Sequence, residues 1–350
     1  MRRPAIGTAH RARGNFHRVR ALICGASAAV CATTVAGAQT GIAPGCTATP
    51  GPVVRTLDAC QKVVDLFRFL SPQVGVALSG GNPMIGEGGT LGGPGKYSIN
   101  VHATVVDGFV PANDVSLVTD GSVRSSNFGA QRAPVPMPTV DIAAGLYPGI
   151  PMGLTNVGGV DLLIGINYLP DVTKAPVAIN SSGHGFSFAY GVRVGITQES
   201  AAFPGISVSY RNRKMPTTSI LYTPNDDTLT VNSASIVSKS LRVTAGKHYK
   251  FLGIAGGFGR DDIDAKSLFN ATINDGPPVG RVDVSVPATQ VKVKRNNAFL
   301  NLSLGLPKAQ VVGEIGWSSA GKPVETVNTF DGHQANEKYR YYTLGFSFRP

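Results

Sequence analysis

Residues 186–197 read Phe186-Ser187-Phe188-Ala189-Tyr190-Gly191-Val192-Arg193-Val194-Gly195-Ile196-Thr197. Every second residue from Phe186 to Ile196 is large and apolar, and every residue between is small or polar. Successive side chains of a strand leave opposite faces, so this period of two predicts a β-strand with one apolar face. A tilted strand needs about 9–11 residues to cross the hydrocarbon layer, whereas soluble strands commonly stop at about 5–6. The second face points the same way. A solvated sheet face is rich in Lys, Glu and Thr, but here it is Ser, Ala, Gly, Arg, Gly and Thr, which suits a crowded barrel lumen.

The same rhythm recurs along the chain. Tyr97, Ile99, Val101, Ala103 and Val105 alternate with Ser98, Asn100, His102 and Thr104. Val160, Leu162, Ile164, Ile166 and Tyr168 share a face, as do Ile206, Val208 and Tyr210, and Leu300, Leu302, Leu304 and Leu306. Tyr97, Tyr168, Phe186 and Tyr210 stand at run ends, where an interfacial girdle places aromatics. Between runs lie breakers: Gly80-Gly81-Asn82-Pro83, Gly92-Gly93-Pro94-Gly95, Pro224 to Asp227 and Gly276-Pro277-Pro278. Residues 107–138, punctuated by prolines, read as a surface loop or lid. No segment beyond residue 38 offers about 18 uninterrupted apolar residues, so a closed barrel is the remaining way to satisfy every backbone group inside a bilayer.

Residues 1–38 stand apart. Six arginines and no acid precede the apolar, small-residue run Ala21–Ala38, which ends in Ala36-Gly37-Ala38. That order is a secretory signal peptide, with cleavage expected after Ala38. The formal charge of the whole chain is +11, and the leader supplies six of those charges, so the exported part is near +5. The basic balance therefore gives no support to nucleic-acid binding. Of four cysteines, Cys46 and Cys60 remain after the leader, in a compartment where disulfides persist. A bridge between them is expected, with two free thiols as the alternative, and neither has zinc-ligand spacing.

Val53 to Leu70 is the one helical stretch, with Val53, Leu57, Cys60, Val64 and Phe67 forming an apolar stripe that Ser71-Pro72 should stop. Either the helix plugs or caps a barrel mouth, or it packs under the barrel. The expected organisation is a signal peptide (1–38), a lead-in with a short helix (39–72) and an all-β, antiparallel transmembrane barrel (73–350) of about 12 strands, within a range of 10–14. With apolar residues facing lipid, Asp141, Asp161, Arg193, Arg211, Lys292, Lys294 and Glu314 should point into the lumen, as a polar pathway or as a salt-bridged plug.

The chain ends in Tyr342-Thr343-Leu344-Gly345-Phe346-Ser347-Phe348-Arg349-Pro350, with Tyr342, Leu344, Phe346 and Phe348 on one face. This resembles the C-terminal strand of bacterial outer-membrane β-barrel proteins, a family whose strand usually ends in an aromatic residue. The departure is Arg349-Pro350 after Phe348. The resemblance implies an outer-membrane location and recognition by the barrel assembly machinery. A helical segment, a Gly-rich stretch and a barrel of this size also look like the fatty-acid transporter (FadL-like) family of hydrophobe channels. No motif of that family carries over residue by residue.

Catalytic signals are weak. Ser98 and His102 share a strand face but lie roughly 13 Å apart at about 3.3 Å per residue, too far for a nucleophile and its base. Asp261, Asp262 and Asp264 lack a calcium-loop pattern, and the Gly-rich stretches lack a phosphate-loop lysine. The expectation is a non-enzymatic barrel without cofactor or metal: a passive transporter or channel for small hydrophobic solutes, or else a structural or surface-exposed barrel with a plugged lumen. Its expected partners are outer-membrane lipid and lipopolysaccharide, the assembly machinery and such a solute, with no nucleic acid.

Overall fold

A computed structural model describes residues 42–43, 46, 56–111, 123–169, 171–174, 177–222, 228–274 and 281–349. The expected signal peptide and the breakers at 224–227 and 276–278 lie outside the described residues. One long helix, α1 (Thr56–Ser79), precedes the strands. These are β1 (Tyr97–Pro111), β2 (Ala130–Tyr147), β3 (Ile150–Met152), β4 (Thr155–Val157), β5 (Val160–Tyr168), β6 (Val172–Lys174), β7 (Val177–Ser181) and β8 (Phe186–Thr197), followed by β9 (Gly205–Lys214), β10 (Thr218–Tyr222), β11 (Thr228–Tyr249), β12 (Leu252–Asn274), β13 (Arg281–Leu306), β14 (Ala309–Ser318) and β15 (Tyr339–Phe348).

Following the ladder from β12 through β13, β14, β15, β1, β2, β5, β8, β9 and β11, the pairing of β11 with β12 closes the ring. Ten antiparallel strands make the barrel, inside the expected range, and every ring strand is paired on both sides over part of its length, with one-sided pairing where the longer strands outrun their neighbours. The short β10, β7 and β6 continue the sheet outward from β11, and β3 with β4 forms a separate small hairpin. One end of the barrel carries the two tightest turns, with two residues between β11 and β12 and two between β13 and β14, beside the longer β8–β9 connection (198–204) and β2–β5 connection (148–159). At the other end the connections are long, and there β11, β12 and β13 run on to 22, 23 and 26 residues.

Near the short-turn end the outer face is apolar. Phe188, Tyr190, Val194, Ile254, Leu300, Leu302, Leu304 and Leu344 are all exposed there, while Asn301, Ser303 and Thr343 are buried inside. Toward the long-turn end this pattern inverts. Val291 and Val293 face inward and are buried, and the alternating Lys292 and Lys294 face outward. The expectation that both lysines line the lumen is therefore wrong. β13 extends beyond the apolar belt, where the solvated face is outside and the packed face is the interior, and Lys294 instead meets Asp262 at 3.8 Å on the outer surface.

Two further expectations change. Residues 107–138 are only partly a loop, because Asp107–Pro111 pairs with Ala130–Pro134 and the ladder continues through Pro136 and Pro138. β5 begins pairing with β2 only at Thr139, so the prolines sit on a stretch with a free side, where a missing N–H breaks no ladder bond. Ser71-Pro72 does not stop the helix, which continues to Ser79 with Pro72 inside it. Proline removes one helical hydrogen bond and usually kinks or ends a helix, but here the barrel wall surrounds the segment. Gln73 adds a further tie, donating to Phe69 O at 3.2 Å and to Phe109 O at 3.1 Å, and accepting from Phe109 N at 2.7 Å.

Candidate functional site: the occupied lumen

The helix stands inside the ring, packing against β1, β2, β9, β11, β12, β13 and β15. Of the two placements open at the sequence level, the structure shows the plug. Its upper half is an apolar column. Val63, Val64, Phe67, Val76 and Leu78 meet inward Ile236, Ile263, Ala265, Val291 and Val293. Phe67 lies edge-on to Phe269 at 5.5 Å, and Phe69 stacks on Phe330 at 4.1 Å. At the long-turn end Asp65 fastens the β14–β15 connection, accepting from the Val327 and Asn328 amides and from Asn328 Nδ2, each at 2.9 Å. The Cys46–Cys60 disulfide ties the lead-in to the helix, and Ala43 N donates to Gln61 Oε1 at 2.8 Å.

Below Ser79 the chemistry changes to charge. Gly80 ends the helix in the left-handed region at φ 61°, as glycine does at no steric cost. The carbonyls freed there carry partial negative charge. Arg242 answers them, donating to Gly80 O at 3.1 Å and Gly81 O at 3.2 Å while holding Asp261 at 2.6 Å. Ser240 donates to the same carboxylate at 2.8 Å. Glu314 accepts from Asn82 N at 2.9 Å, Asn301 Nδ2 at 2.6 Å and Thr343 Oγ1 at 3.2 Å. Its carboxyl oxygens are met by amides and a hydroxyl, and among the described residues it has no ion pair.

Asp141 is gripped by Arg211 through both oxygens, by Arg213 at 2.8 Å, and has His102 Nε2 at 3.8 Å. Arg211 also donates to Pro83 O at 2.7 Å, so the cluster reaches the plug. Lower still, Arg193 bridges Asp161 at 2.7 Å and Glu87 at 3.0 Å, and Arg349 reaches Glu87 at 2.6 Å. Leu91 N, Gly88 O and Thr90 O are taken by Asp161, Ser207 and Gln198. At Gly88 the plug backbone runs against that of Gly246, where any Cβ would collide. Residues 79–91 are thereby stitched to β5, β8, β9, β11, β13 and β14, with Asn301 of β13 holding Asn82 Nδ2 and Gly86 N.

Of the charges expected inside, Asp141, Asp161, Arg193, Arg211 and Glu314 are inward and buried, and only Lys292 and Lys294 are not. Sequence reasoning missed Glu87, Arg213, Arg242, Asp261 and Arg295. Arg213 and Arg242 were within reach, since the alternation of β9 and β11 puts them in phase with Arg211 and Thr244. Glu87 lies in an irregular Gly-rich stretch with no period to give its direction. Ser98 shares its hydroxyl with Ser347 at 3.4 Å, away from His102. Asp261 faces inward, while Asp262 and Asp264 face outward to Lys294 and Gln290, so the three carboxylates do not converge. Tyr342, Leu344, Phe346 and Phe348 all lie on the outer face, and Arg349, the departure from an aromatic end, shares Glu87 with Arg193.

No protein family and no curated protein matches the chain. Solved structures resemble it at low identity. The outer membrane protease OmpT from Escherichia coli is 10% identical over 73% of this chain and 97% of its own, with a TM-score of 0.39. The translocator domain of the autotransporter NalP from Neisseria meningitidis is 15% identical over 74% of this chain and 91% of its own, at 0.36. A deletion mutant of TodX, a monoaromatic hydrocarbon channel, is 7% identical over 73% and 90%, at 0.26. Likenesses at these scores carry no argument about function, and the assignment of a β-barrel rests on the closed ladder of this chain's own strands.

Proposed function

We propose that the chain is a bacterial outer-membrane barrel closed by its own N-terminal segment, a surface-exposed or structural barrel without catalytic activity. The observation that carries this reading is the stitching of residues 79–91 to the wall by buried charge clusters on Glu87, Asp141, Asp161 and Asp261. An open diffusion pore needs a continuous wet path, and here the path is filled by backbone. The apolar outer belt, the tight turns at one end and the outward aromatic face of β15 support insertion in a bilayer and handling by the barrel assembly machinery. His102 serves structure in this reading, since its nearest charged neighbour is the carboxylate that Arg211 and Arg213 already hold.

Passage of a small hydrophobic solute, as in the FadL-like channels, would require the segment to leave or a lateral apolar route. The level of Asp141 and Arg193 offers such a solute charged groups instead. The test is conductance in a planar bilayer. The wild-type barrel is expected to pass little steady current, and Arg193→Ala, which strips Asp161 and Glu87 of a shared cation, is expected to open a measurable one. Large ohmic conductance in the wild type would overturn the plug. Saturable binding of a lipophilic fluorescent probe, competed by fatty acid, would favour the hydrophobe channel.

A further inference from the structure

On the outer face, four neighbouring strands bring Phe258, Ala298, Trp317 and Arg340 into one cross-strand row, each opposite the next in the ladder. Arg260 and Asn296 form the next row toward the long-turn end, where Asn296 meets Ser319 backbone to backbone. Ala298 is too short to fill the space between Phe258 and Trp317, which stand two strand spacings of about 4.8 Å apart. The result is a cleft of about 850 Å³ whose lining includes Phe258, Ala298, Trp317, Arg260, Lys338 and Arg340. Phe258 is 64% and Trp317 44% exposed, so both rings present themselves outward.

The cleft straddles a chemical border. Toward the short-turn end it opens onto Leu300 and Leu302 of the apolar belt, and toward the long-turn end it is rimmed by cations. Arg260, Lys338 and Arg340 have no ion-pair partner among the described residues. The neighbouring acids are engaged: Asp262 with Lys294, and Asp107 with Arg132. Unpaired cations beside an aromatic, membrane-facing slot match a ligand with an anionic head and apolar tails. Guanidinium groups are suited to phosphate oxygens, which they meet with paired N–H donors. Aromatic rings sit well at the level where acyl chains meet headgroups.

We propose that this cleft binds a phosphorylated, multiply acylated glycolipid of the leaflet at the long-turn end, with one acyl chain between Phe258 and Trp317 and a phosphate on Arg260, Lys338 and Arg340. This rests on the reading of the chain as a membrane barrel and names a lipid partner and its site. A soluble phosphate would leave the apolar wall uncovered, so the occupant is the lipid.

Trp317 is the chain's one tryptophan, which makes its fluorescence a reporter for the cleft. Barrel in vesicles of brominated phosphatidylcholine should show quenched Trp317 emission. A few mole percent of unbrominated bisphosphoryl lipid A should relieve that quenching, and fully dephosphorylated lipid A should not. The triple variant Arg260→Ser, Lys338→Ser, Arg340→Ser should require roughly tenfold more lipid A for the same relief, and the Arg260→Lys, Arg340→Lys variant, which keeps the charges but loses the paired donors, should fall between it and the wild type. Equal relief by phosphorylated and dephosphorylated lipid A, or wild-type behaviour of the triple variant, would overturn the site while leaving the membrane reading intact. Absence of quenching by brominated phosphatidylcholine would overturn the membrane reading and the site with it.

Discussion

Strand β13 runs through two halves of the barrel that are built inside out relative to each other. In residues 291–294 the valines face the interior and the lysines face out, as in a soluble barrel wrapped around a helix. In residues 300–306 the leucines face out, and Asn301 and Ser303 face the lumen. From Val291 to Leu304 the alternation does not break, and what changes is the chemistry presented on each side. Above the belt, water lies outside and the apolar helix inside, so burial drives packing inward. Within the belt, the outside is apolar and the interior holds the irregular, polar part of the plug, so hydrogen bonds and ion pairs do the packing. On the proposed membrane reading, hydrocarbon covers that apolar face, and the change of chemistry around Arg295 marks where it ends.

The sharpest way to break this comparison is to attack the charged half from within. Arg242→Met removes the cation that holds Asp261 and the helix-end carbonyls, and should destabilise the barrel by about 3–5 kcal/mol by leaving a buried carboxylate uncompensated. Urea titration of barrel refolded into lipid measures it, and a loss below about 1 kcal/mol would mean that water enters and solvates Asp261.

Next in size is the outer face. Leu302→Arg should cost about 2–4 kcal/mol as a charge placed against hydrocarbon, whereas Lys294→Leu, eight residues earlier on the same face, should stay within about 0.5 kcal/mol. Equal effects in the same titration would erase the boundary drawn through β13. Smaller again, Gly88→Ala forces a Cβ into the backbone of Gly246 and should cost about 1–3 kcal/mol. Gly313→Ala, which meets open space on the outer face, should be nearly silent.

The smallest expected effect is at the long-turn end, where the Asn127 side chain and then the Ala130 amide hold the Asp331 carboxyl below the usual aspartate range. A depressed folded-state pKa means that this contribution is fully present above the ordinary aspartate value and is lost as pH falls through the folded one. Protection from hydrogen exchange at 127–130, corrected for the intrinsic pH dependence of amide exchange, should fall in acid, and Asp331→Asn should remove that dependence.

The belt half was legible in the sequence because a single variable, hydrophobicity at period two, encodes both sides of the wall there. Phe186–Thr197 gives the strand, the lipid face and the inward Arg193 together. The same rule assigned Lys292 and Lys294 wrongly because it assumed hydrocarbon along the full length of every strand, and β13 outruns the belt. Pro134, Pro136 and Pro138 hid a strand, since their tolerance depends on where β5 starts, which is long-range information. Pro72 hid the last two or so turns of the helix, 71–79, for a similar reason: a wall from other parts of the chain holds them. Glu87 and the carbonyls of Gly80 and Gly81 had no local signature, because their partners are 106 or more residues away in the chain.

The direction of the plug has a mechanical consequence. The helix begins at the long-turn end, and the chain descends through the ring before β1 sets out from the short-turn end, so the polypeptide passes through a hoop made of itself. The Cys46–Cys60 disulfide fixes a further point of the chain to its upper end, and Asp65 lashes it to the β14–β15 connection. Traction from the short-turn side would therefore load the Asp65 bonds to that connection. Traction from the long-turn side would peel ion pairs from the wall one layer at a time, beginning with those nearest Ser79.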